Sequence, residues 1–189
     1  MQRSLVGSEM CIRDRDYFSK EIELKKETLY NCKMVQAQDG VSVESDTLGA
    51  LLYPLEGDTF ALDMVIKPER YHEFGIALHV DKELETGYFL RMNPKNQLVA
   101  WDMWPRGEQG RYQWQIKGDV PYQIETARKL PKAEEYRVHI IKEKDICVVY
   151  INDEIVLSTR MYNHKDGYAG IYVVQGNVKL IQYKEKRSE

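Results

Sequence analysis

The chain has 189 residues, enough for one hydrophobic core but few for two full domains, and its charged residues (30%) nearly cancel at a formal net charge of −3. That balance lacks the basic footprint that a nucleic-acid backbone requires, and no apolar run approaches the roughly 18 residues that span a bilayer. We therefore expect one domain whose partner is neither a nucleic acid nor a membrane.

The first fifteen residues, MQRSLVGSEMCIRDR, share no pattern with the rest of the chain. They resemble a string that recurs on unrelated environmental sequences, as translated library adapters would produce. We therefore exclude them from fold reasoning and expect the domain at 16–189. If native upstream sequence was replaced, a signal peptide or a catalytic domain would be lost with it. The sequence leaves open whether the protein is cytoplasmic or secreted.

The N-terminal third has a weak pattern, in which early strands are expected at 41–43 and 50–55. The C-terminal strand could pair with one of them and close the sheet. From residue 59 onward, apolar and polar residues alternate with the period of two that a half-buried strand shows. Residues 59–67 therefore predict a strand that buries Phe60 and every second residue after it.

Residues 74–80 predict a second strand of this kind, with an apolar face that ends at Val80. The opposite face carries the small or polar residues Gly75, Ala77 and His79. Such a face could form the floor of a ligand site or lie under a covering element.

Seven further strands follow, with turn residues between them and a short helical turn or a loop at 125–136. Short strands every 8–12 residues without a helical period are typical of β-sandwiches. We predict an all-β fold, a concanavalin/jelly-roll-like β-sandwich whose last third consists of consecutive hairpins. The strands are expected at 87–92, 97–103, 136–142, 146–151, 155–160, 169–174 and 178–183, and the turns at 94–96, 152–153 and 175–177.

Four segments are the most distinctive: ETGYFLR at 85–91, VAWDMWPR at 99–106, LSTRMY at 157–162 and GYAGIY at 167–172. In wording and order they resemble the C-terminal β-sandwich of glycoside hydrolase family 32, which includes levanases, β-fructofuranosidases and sucrose-phosphate hydrolases. The resemblance covers roughly residues 59–183. It implies an accessory module of a β-propeller that cleaves β-fructosides, with a fructose-containing saccharide as ligand.

The resemblance does not extend to the family's hydrolytic residues. The propeller of that family carries a nucleophile in a W-x-N-D-P-N-G-like segment, a stabilising aspartate in R-D-P and an acid in an E-C pair. Here Arg13-Asp14 is followed by Arg15, and no glutamate precedes Cys32 or Cys147. We therefore expect no catalytic residue and no cofactor in this chain, and a family 32 propeller upstream of it in the native protein.

Candidate ligand residues gather at the acidic turn near residue 81, on the strand after it, and at the Trp-Pro-Arg strand end. Arginine and carboxylates make charge-assisted hydrogen bonds to vicinal hydroxyls, and an aromatic ring covers the apolar face of a sugar. In the alternative interpretation, Trp104 fills the sandwich and Arg106 pairs with Asp102 or Glu85. The carbohydrate-binding candidates are Asp81, Glu85, Tyr88, Arg91, Trp104, Arg106, Arg160 and Tyr162.

Further aromatic and basic positions could belong to a site or to the structure. Arg160 and Tyr162 lie two positions apart and are expected to project to one side, where they could complete a pocket with Arg91. Alternatively, Arg160 pairs with a neighbouring carboxylate. Trp101 is expected in the core, and Trp114, in a loop, could be a stacking platform or a lid.

Other chemistries find little support in the sequence. The four histidines are scattered, so we expect no zinc site, although structural calcium bound by loop oxygens stays open. The E-x-D pairs at 44–46, 56–58 and 143–145 lack the second glutamate that a concanavalin-like glycanase would use. Cys32 and Cys147 are separated by most of the fold, which indicates no disulfide framework.

Three functions remain compatible with the sequence. The first is a saccharide-binding accessory module, which would lose its ligand when Trp104 is replaced. The second is a structural sandwich that packs on the propeller and exposes an apolar patch larger than a few hundred Å². The third and least favoured is a free-standing glycanase, which would release sugar from a glycan.

Overall fold

The computed structural model describes residues 17–104 and 122–188. These residues form strands and connecting loops, and no helix among them is long and apolar enough to cross a membrane. The predicted all-β fold is confirmed, and the segment 1–15 lies outside the described residues. The strands are β1 (Lys20–Ile22), β2 (Thr28–Tyr30), β3 (Lys33–Ala37), β4 (Gly40–Leu55), β5 (Thr59–Arg70), β6 (Glu73–Val80), β7 (Gly87–Asn93), β8 (Leu98–Trp104), β9 (Tyr122–Gln123), β10 (Tyr136–Glu143), β11 (Ile146–Ile151), β12 (Ile155–Arg160) and β13 (Gly167–Arg187).

The strands form two layers that share β4 and β13. The first layer has the order β2, β4, β13, β6, β7, β8, β9, and the second has the order β3, β4, β13, β5, β10, β11, β12. All pairings are antiparallel, and β1 pairs with the end of β13. The early strands expected at 41–43 and 50–55 are two parts of β4, and both pair with β13, whereas the sequence predicted that the C-terminal strand pairs with one of them.

The predicted turn at 175–177 is wrong, because β13 continues through it. The register between β13 and β4 shifts between Val174 and Gly176, with Gln175 at a φ of 50°. A β-bulge of this kind bends the strand, and here it carries β13 from the first layer into the second. A Cβ at Gly176 would lie 1.8 Å from the Arg70 carbonyl oxygen, so only glycine allows the two backbones to approach this closely.

A second bulge, at His79, changes the predicted faces of β6. Tyr168 pairs with Val80 and the next residue of β13 pairs with Leu78, which leaves His79 unpaired in the ladder at a φ of 52°. The extra residue turns His79 inward, where its ring lies 5.6 Å from that of Phe60. It also turns Val80 to the outer face, although strict alternation had placed it inward.

The core lies between the two layers and is built largely from the predicted apolar faces. Phe60 and the alternate residues of β5 as far as Ile66 are at most 1% exposed, and Trp101 is buried as expected, at 0% exposure. Residues 125–135 are not helical. They run alongside β8 as a loop, in which Arg128 bridges to Val99 and Leu130 enters the core.

Candidate functional site

A cavity of about 380 Å³ opens on the outer face of the first layer, and we call it the Arg91 cavity. Its volume lies within the range of about 300–1,000 Å³ that small-molecule sites usually occupy. Apolar walls surround a small polar group, which is the composition expected of a ligand site. The lining residues are Leu48, Glu73, Leu84, Phe89, Arg91, Asp102, Trp104, Tyr172 and Val174.

Strand alternation explains why these side chains meet. On β7, Tyr88 and Leu90 are buried in the core, so the residues between and after them, Phe89 and Arg91, project outward. On β8, Trp101 and Met103 are likewise in the core, which turns Asp102 and Trp104 outward. Asp102 is the direct cross-strand partner of Phe89, so the two outward sets lie side by side.

Tyr172 of β13 covers Gly75, its cross-strand partner on β6. A Cβ at Gly75 would lie 1.9 Å from the Leu90 carbonyl oxygen and 2.9 Å from Cε1 of Tyr172. The small-residue face of β6 is therefore covered rather than open. The Tyr172 ring meets that of Phe89 nearly edge to face, with centroids 5.6 Å apart, and these two rings supply apolar wall.

Arg91 lies between two carboxylates that come from different strands. Its Nη1 is 3.3 Å from Oδ2 of Asp102, and its Nε is 3.6 Å from Oε2 of Glu73. The hydroxyl of Tyr172 donates a hydrogen bond to Oε1 of Glu73 at 3.3 Å. Two buried atoms, Nε of Arg91 and Oδ1 of Asp102, have no hydrogen-bond partner among the described residues.

The surroundings of the Arg91 cavity raise the pKa of Asp102, Glu73 and Tyr172 alike. Burial raises the pKa of Asp102, and the charge of Arg91 only partly opposes it. Burial also raises the pKa of Glu73, against the effects of Arg91 and of the Tyr172 hydrogen bond. The pKa of Tyr172 is raised well above its usual value, first by burial and then by the charge of Glu73. One cation is thus shared by two carboxylates in a poorly hydrated site.

Of the residues predicted from sequence, the structure brings Arg91 and Trp104 together in this cavity. Trp104 does not fill the sandwich, because it projects outward and is half-buried. Asp81 and Glu85 do not line the cavity. The Asp81 carboxylate instead accepts hydrogen bonds from the Glu85 backbone N–H and from the Thr86 hydroxyl, both at 2.8 Å, and so holds its own turn.

The remaining candidates lie elsewhere. Tyr88 is a core residue, 1% exposed, and its hydroxyl accepts a hydrogen bond from the Asn163 backbone N–H at 3.1 Å. Arg160 and Tyr162 are exposed at the β12 end of the second layer, so they do not complete a pocket with Arg91. Arg106 and Trp114 lie outside the described residues.

Sequence reasoning missed Glu73 and Tyr172 and considered Asp102 only as a partner of Arg106. Asp102 could have been found, because it lies two positions before Trp104 and must share its face. Glu73 and Tyr172 lie on strands far apart in sequence. Only the pairing of β13 with β6 brings them to Arg91, and a single sequence carries no direct signal for it.

This strand arrangement can be compared with solved structures. The chain is similar in fold to the carbohydrate-binding module CBM66 from Bacillus subtilis. The two share 17% identity over 87% of this chain and 97% of that one, with a TM-score of 0.72. A Bacillus subtilis protein of unknown function with a galectin-like fold shares 9% identity over 90% and 97% of the chains (TM-score 0.62). The VIP36 exoplasmic/lumenal domain, solved with Ca²⁺ and Man3GlcNAc, shares 10% over 89% and 91% (TM-score 0.57).

These similarities establish the β-sandwich fold predicted from the sequence. No family model matches the chain, and the search of curated proteins gives no match. Among the described residues, no group of three or more His, Cys, Asp or Glu side chains is placed to hold a metal ion.

Proposed function

We propose that this chain is a carbohydrate-binding accessory module and that the Arg91 cavity holds its saccharide. The observation that carries the proposal is a pair of buried atoms, Nε of Arg91 and Oδ1 of Asp102, which make no hydrogen bond within the described residues and belong to side chains that line the cavity. Buried polar groups are normally hydrogen-bonded, so a donor and an acceptor that both lack a hydrogen bond suit a ligand that supplies both. A sugar hydroxyl does so.

The remaining lining fits the same ligand. Trp104, Phe89 and Tyr172 offer aromatic surface to the apolar face of a sugar ring. Glu73 and Asp102 can accept hydrogen bonds from neighbouring hydroxyls while Arg91 donates to them, and hydrogen bonds to charged groups contribute about 1.5–3 kcal/mol each. One protein of similar fold is a carbohydrate-binding module by name and another was solved with Man3GlcNAc bound, which supports the same class of ligand.

We propose further that the ligand is a fructoside and that the native partner is a family 32 propeller. The support is the sequence resemblance over 59–183, whose GYFLR and DMWPR segments supply Arg91, Asp102 and Trp104. The hydrolytic segments of that family are missing from this sequence, so we assign the chain a binding role without catalysis. No cofactor enters the proposal.

The two other functions have weaker support. A scaffold that only packs on a propeller should expose one contiguous apolar patch. In the described part of the chain, the exposed large apolar residues are instead spread over several elements: Leu29 on β2, Val35 on β3, Ile146 on β11 and Val156 on β12, with Tyr17, Leu24 and Tyr162 outside the strands. A glycanase needs two separately acting carboxyl groups, whereas Glu73 and Asp102 share one arginine.

Calorimetric titration of the full chain with fructose, sucrose and short levan and inulin oligosaccharides tests the proposal. We expect saturable binding, and Trp104→Ala should remove the part of it that belongs to the Arg91 cavity. Tyr162→Ala is the matched control, because this aromatic residue is 60% exposed and outside the cavity. Equal affinity in Trp104→Ala would remove the proposed site, and silence across the panel from folded protein would favour the scaffold. Sugar release from the oligosaccharides would revive the glycanase.

A further inference from the structure

A second cavity, of about 230 Å³, lies on the outer face of the second layer, and we call it the His139 cavity. None of its lining residues belongs to the Arg91 cavity. Because the two layers enclose the core between them, the two cavities open on opposite sides of the sandwich. Besides Phe18, the polar and aromatic side chains of this lining are Asp63, Arg137, His139, Tyr150, Asp153, Gln182 and Lys186.

The floor of the His139 cavity is a row of outward side chains on three adjacent strands. His139 on β10 pairs directly with Asp63 on β5 and with Tyr150 on β11. Two residues further along the same face, Phe18 packs on Ala61 and Ile141 and is only 3% exposed. Phe18 also lines the cavity, so the segment before β1 supplies one wall. The cavity is therefore a built feature of the fold.

The polar groups of the cavity are held in fixed positions. Nδ1 of His139 lies 2.5 Å from Oδ1 of Asp63, and Nζ of Lys186 lies 2.7 Å from Oδ2 of the same carboxylate. Because the Asp63 carboxylate accepts the hydrogen bond of the Nδ1 position, Nε2 is the ring nitrogen left for another partner. Nε2 is buried and has no hydrogen-bond partner among the described residues.

The charges of the lining favour a neutral ligand. Arg137 and Lys186 are balanced by Asp63 and Asp153, so the cavity has no net charge that would select an anion or a cation. The lining holds both donors and acceptors, and the half-buried Tyr150 offers an aromatic surface. A neutral molecule with several hydroxyls and an apolar face combines these features.

We propose that the His139 cavity is a second saccharide-binding site, sized for a single sugar ring. Its volume is smaller than that of the Arg91 cavity, so it takes one residue of a glycan rather than an extended segment. Two sites on opposite faces bind two glycan chains or two distant parts of one chain. Binding to an insoluble or multivalent glycan then exceeds the affinity of either site alone.

The test is an NMR titration of the full chain with fructose, glucose, galactose and arabinose, each added separately, in which backbone amide shifts report each cavity independently. We expect shifts at His139, Tyr150 and Gln182 that persist in Trp104→Ala. In Arg137→Ala these shifts should require about tenfold more sugar, which is the effect of losing one charged hydrogen-bond partner. Arg70→Ala is the matched control, because its side chain is equally exposed, 71% against 72% for Arg137, and it lines neither cavity.

Each outcome separates this proposal from the function proposed above. Shifts confined to the Arg91 cavity would overturn the second site and leave the first intact. Shifts confined to the His139 cavity would overturn the Arg91 site and leave the second site intact. No shift in either cavity would overturn both proposed sites. Arg137 is mostly exposed, so its replacement is not expected to disturb folding, and the amide spectrum of the variant checks this directly.

Discussion

Arg91 holds only one oxygen of the Asp102 carboxylate. Its Nη1 lies 3.3 Å from Oδ2, whereas Oδ1 is buried without a hydrogen-bond partner among residues 17–104 and 122–188. A carboxylate that is desolvated but only half-satisfied has a high free energy unless another donor reaches it. This relationship makes Asp102 the most informative position in the first layer.

Asp102→Asn should weaken saccharide binding by about tenfold or more, because an amide replaces the charged acceptor. The change should leave the free energy of unfolding nearly unchanged, since it also removes a buried charge. Calorimetric titration and urea unfolding measure the two effects. Glu85→Gln is the control, an exposed carboxylate outside the cavity. Full affinity in Asp102→Asn would show that this carboxylate does not contact the ligand.

Saccharide affinity should fall on acidification earlier than ordinary carboxylates would predict. Burial raises the pKa of Asp102 and Glu73 above the usual 3.8 and 4.5, so both acceptors take up protons at higher pH in the folded protein. The same raised pKa adds stability at low pH, which is lost as pH rises through the folded-state pKa. Titrations from pH 7 to pH 4, with circular dichroism at each pH, should show binding lost while the fold persists. Constant affinity over this range would contradict an ionised carboxylate contact.

Asp63 should contribute about 2 kcal/mol to stability at neutral pH. Burial alone would raise its pKa, but the hydrogen bonds from His139 and Lys186 outweigh burial and lower it from 3.8 to about 2. A depressed carboxyl pKa stabilises the fold above the unfolded-state pKa, and this contribution is lost as pH falls through the folded-state pKa. Urea unfolding of Asp63→Asn should show the deficit at pH 6 and a much smaller one at pH 2. An equal deficit at both values would point to lost packing rather than lost charge. Glu83→Gln, an exposed carboxylate, serves as the control.

Cys147 should resist alkylation until the protein unfolds. Burial raises the pKa of its thiol to about 12, and its side chain is fully inside the core, so neither thiolate nor access is available. Cys32 is only half-buried and should react first, although burial raises its pKa as well. Mass spectrometry after brief iodoacetamide treatment at pH 8, with and without urea, distinguishes the two. Equal labelling without urea would mean that the core opens readily.

Gly176→Ala should destabilise the fold by roughly 1–3 kcal/mol, the usual cost of forcing extra volume into a packed site. The added Cβ would meet the Arg70 carbonyl oxygen at the point where β13 passes between layers. Thermal unfolding measures the loss. Gln175→Ala is the control, because it changes an exposed side chain in the same bulge and keeps a Cβ at the positive φ. A larger loss in the control would mean that the bulge does not depend on this close approach.

The sequence by itself determined the fold class and most strands. Alternation in 59–67 and around Trp101 is a local signal, since each strand must bury one face wherever its partners lie. The short strands β1, β2, β3 and β9 were not predicted, and the two wrong assignments within predicted strands, at 79–80 and 175–177, are both bulges. At 79–80 the inserted residue exchanges the inward and outward faces of the strand. At 175–177, turn-forming residues such as Gln-Gly-Asn suit a bulge within a continuous strand as well as a hairpin.

The site was only partly determined in this way. Arg91 and Trp104 could be selected because their strands are distinctive and their chemistry suits a sugar. Only the tertiary structure decided that Glu73 and Tyr172 join them and that Asp81 serves its own turn. Likewise, only the structure showed that Tyr88 and Arg160 belong elsewhere. The physical reason is that a cavity on a sheet is assembled across strands, from residues as distant as Glu73 and Tyr172. Strand order and register are set by the packing of the whole core rather than by any local pattern.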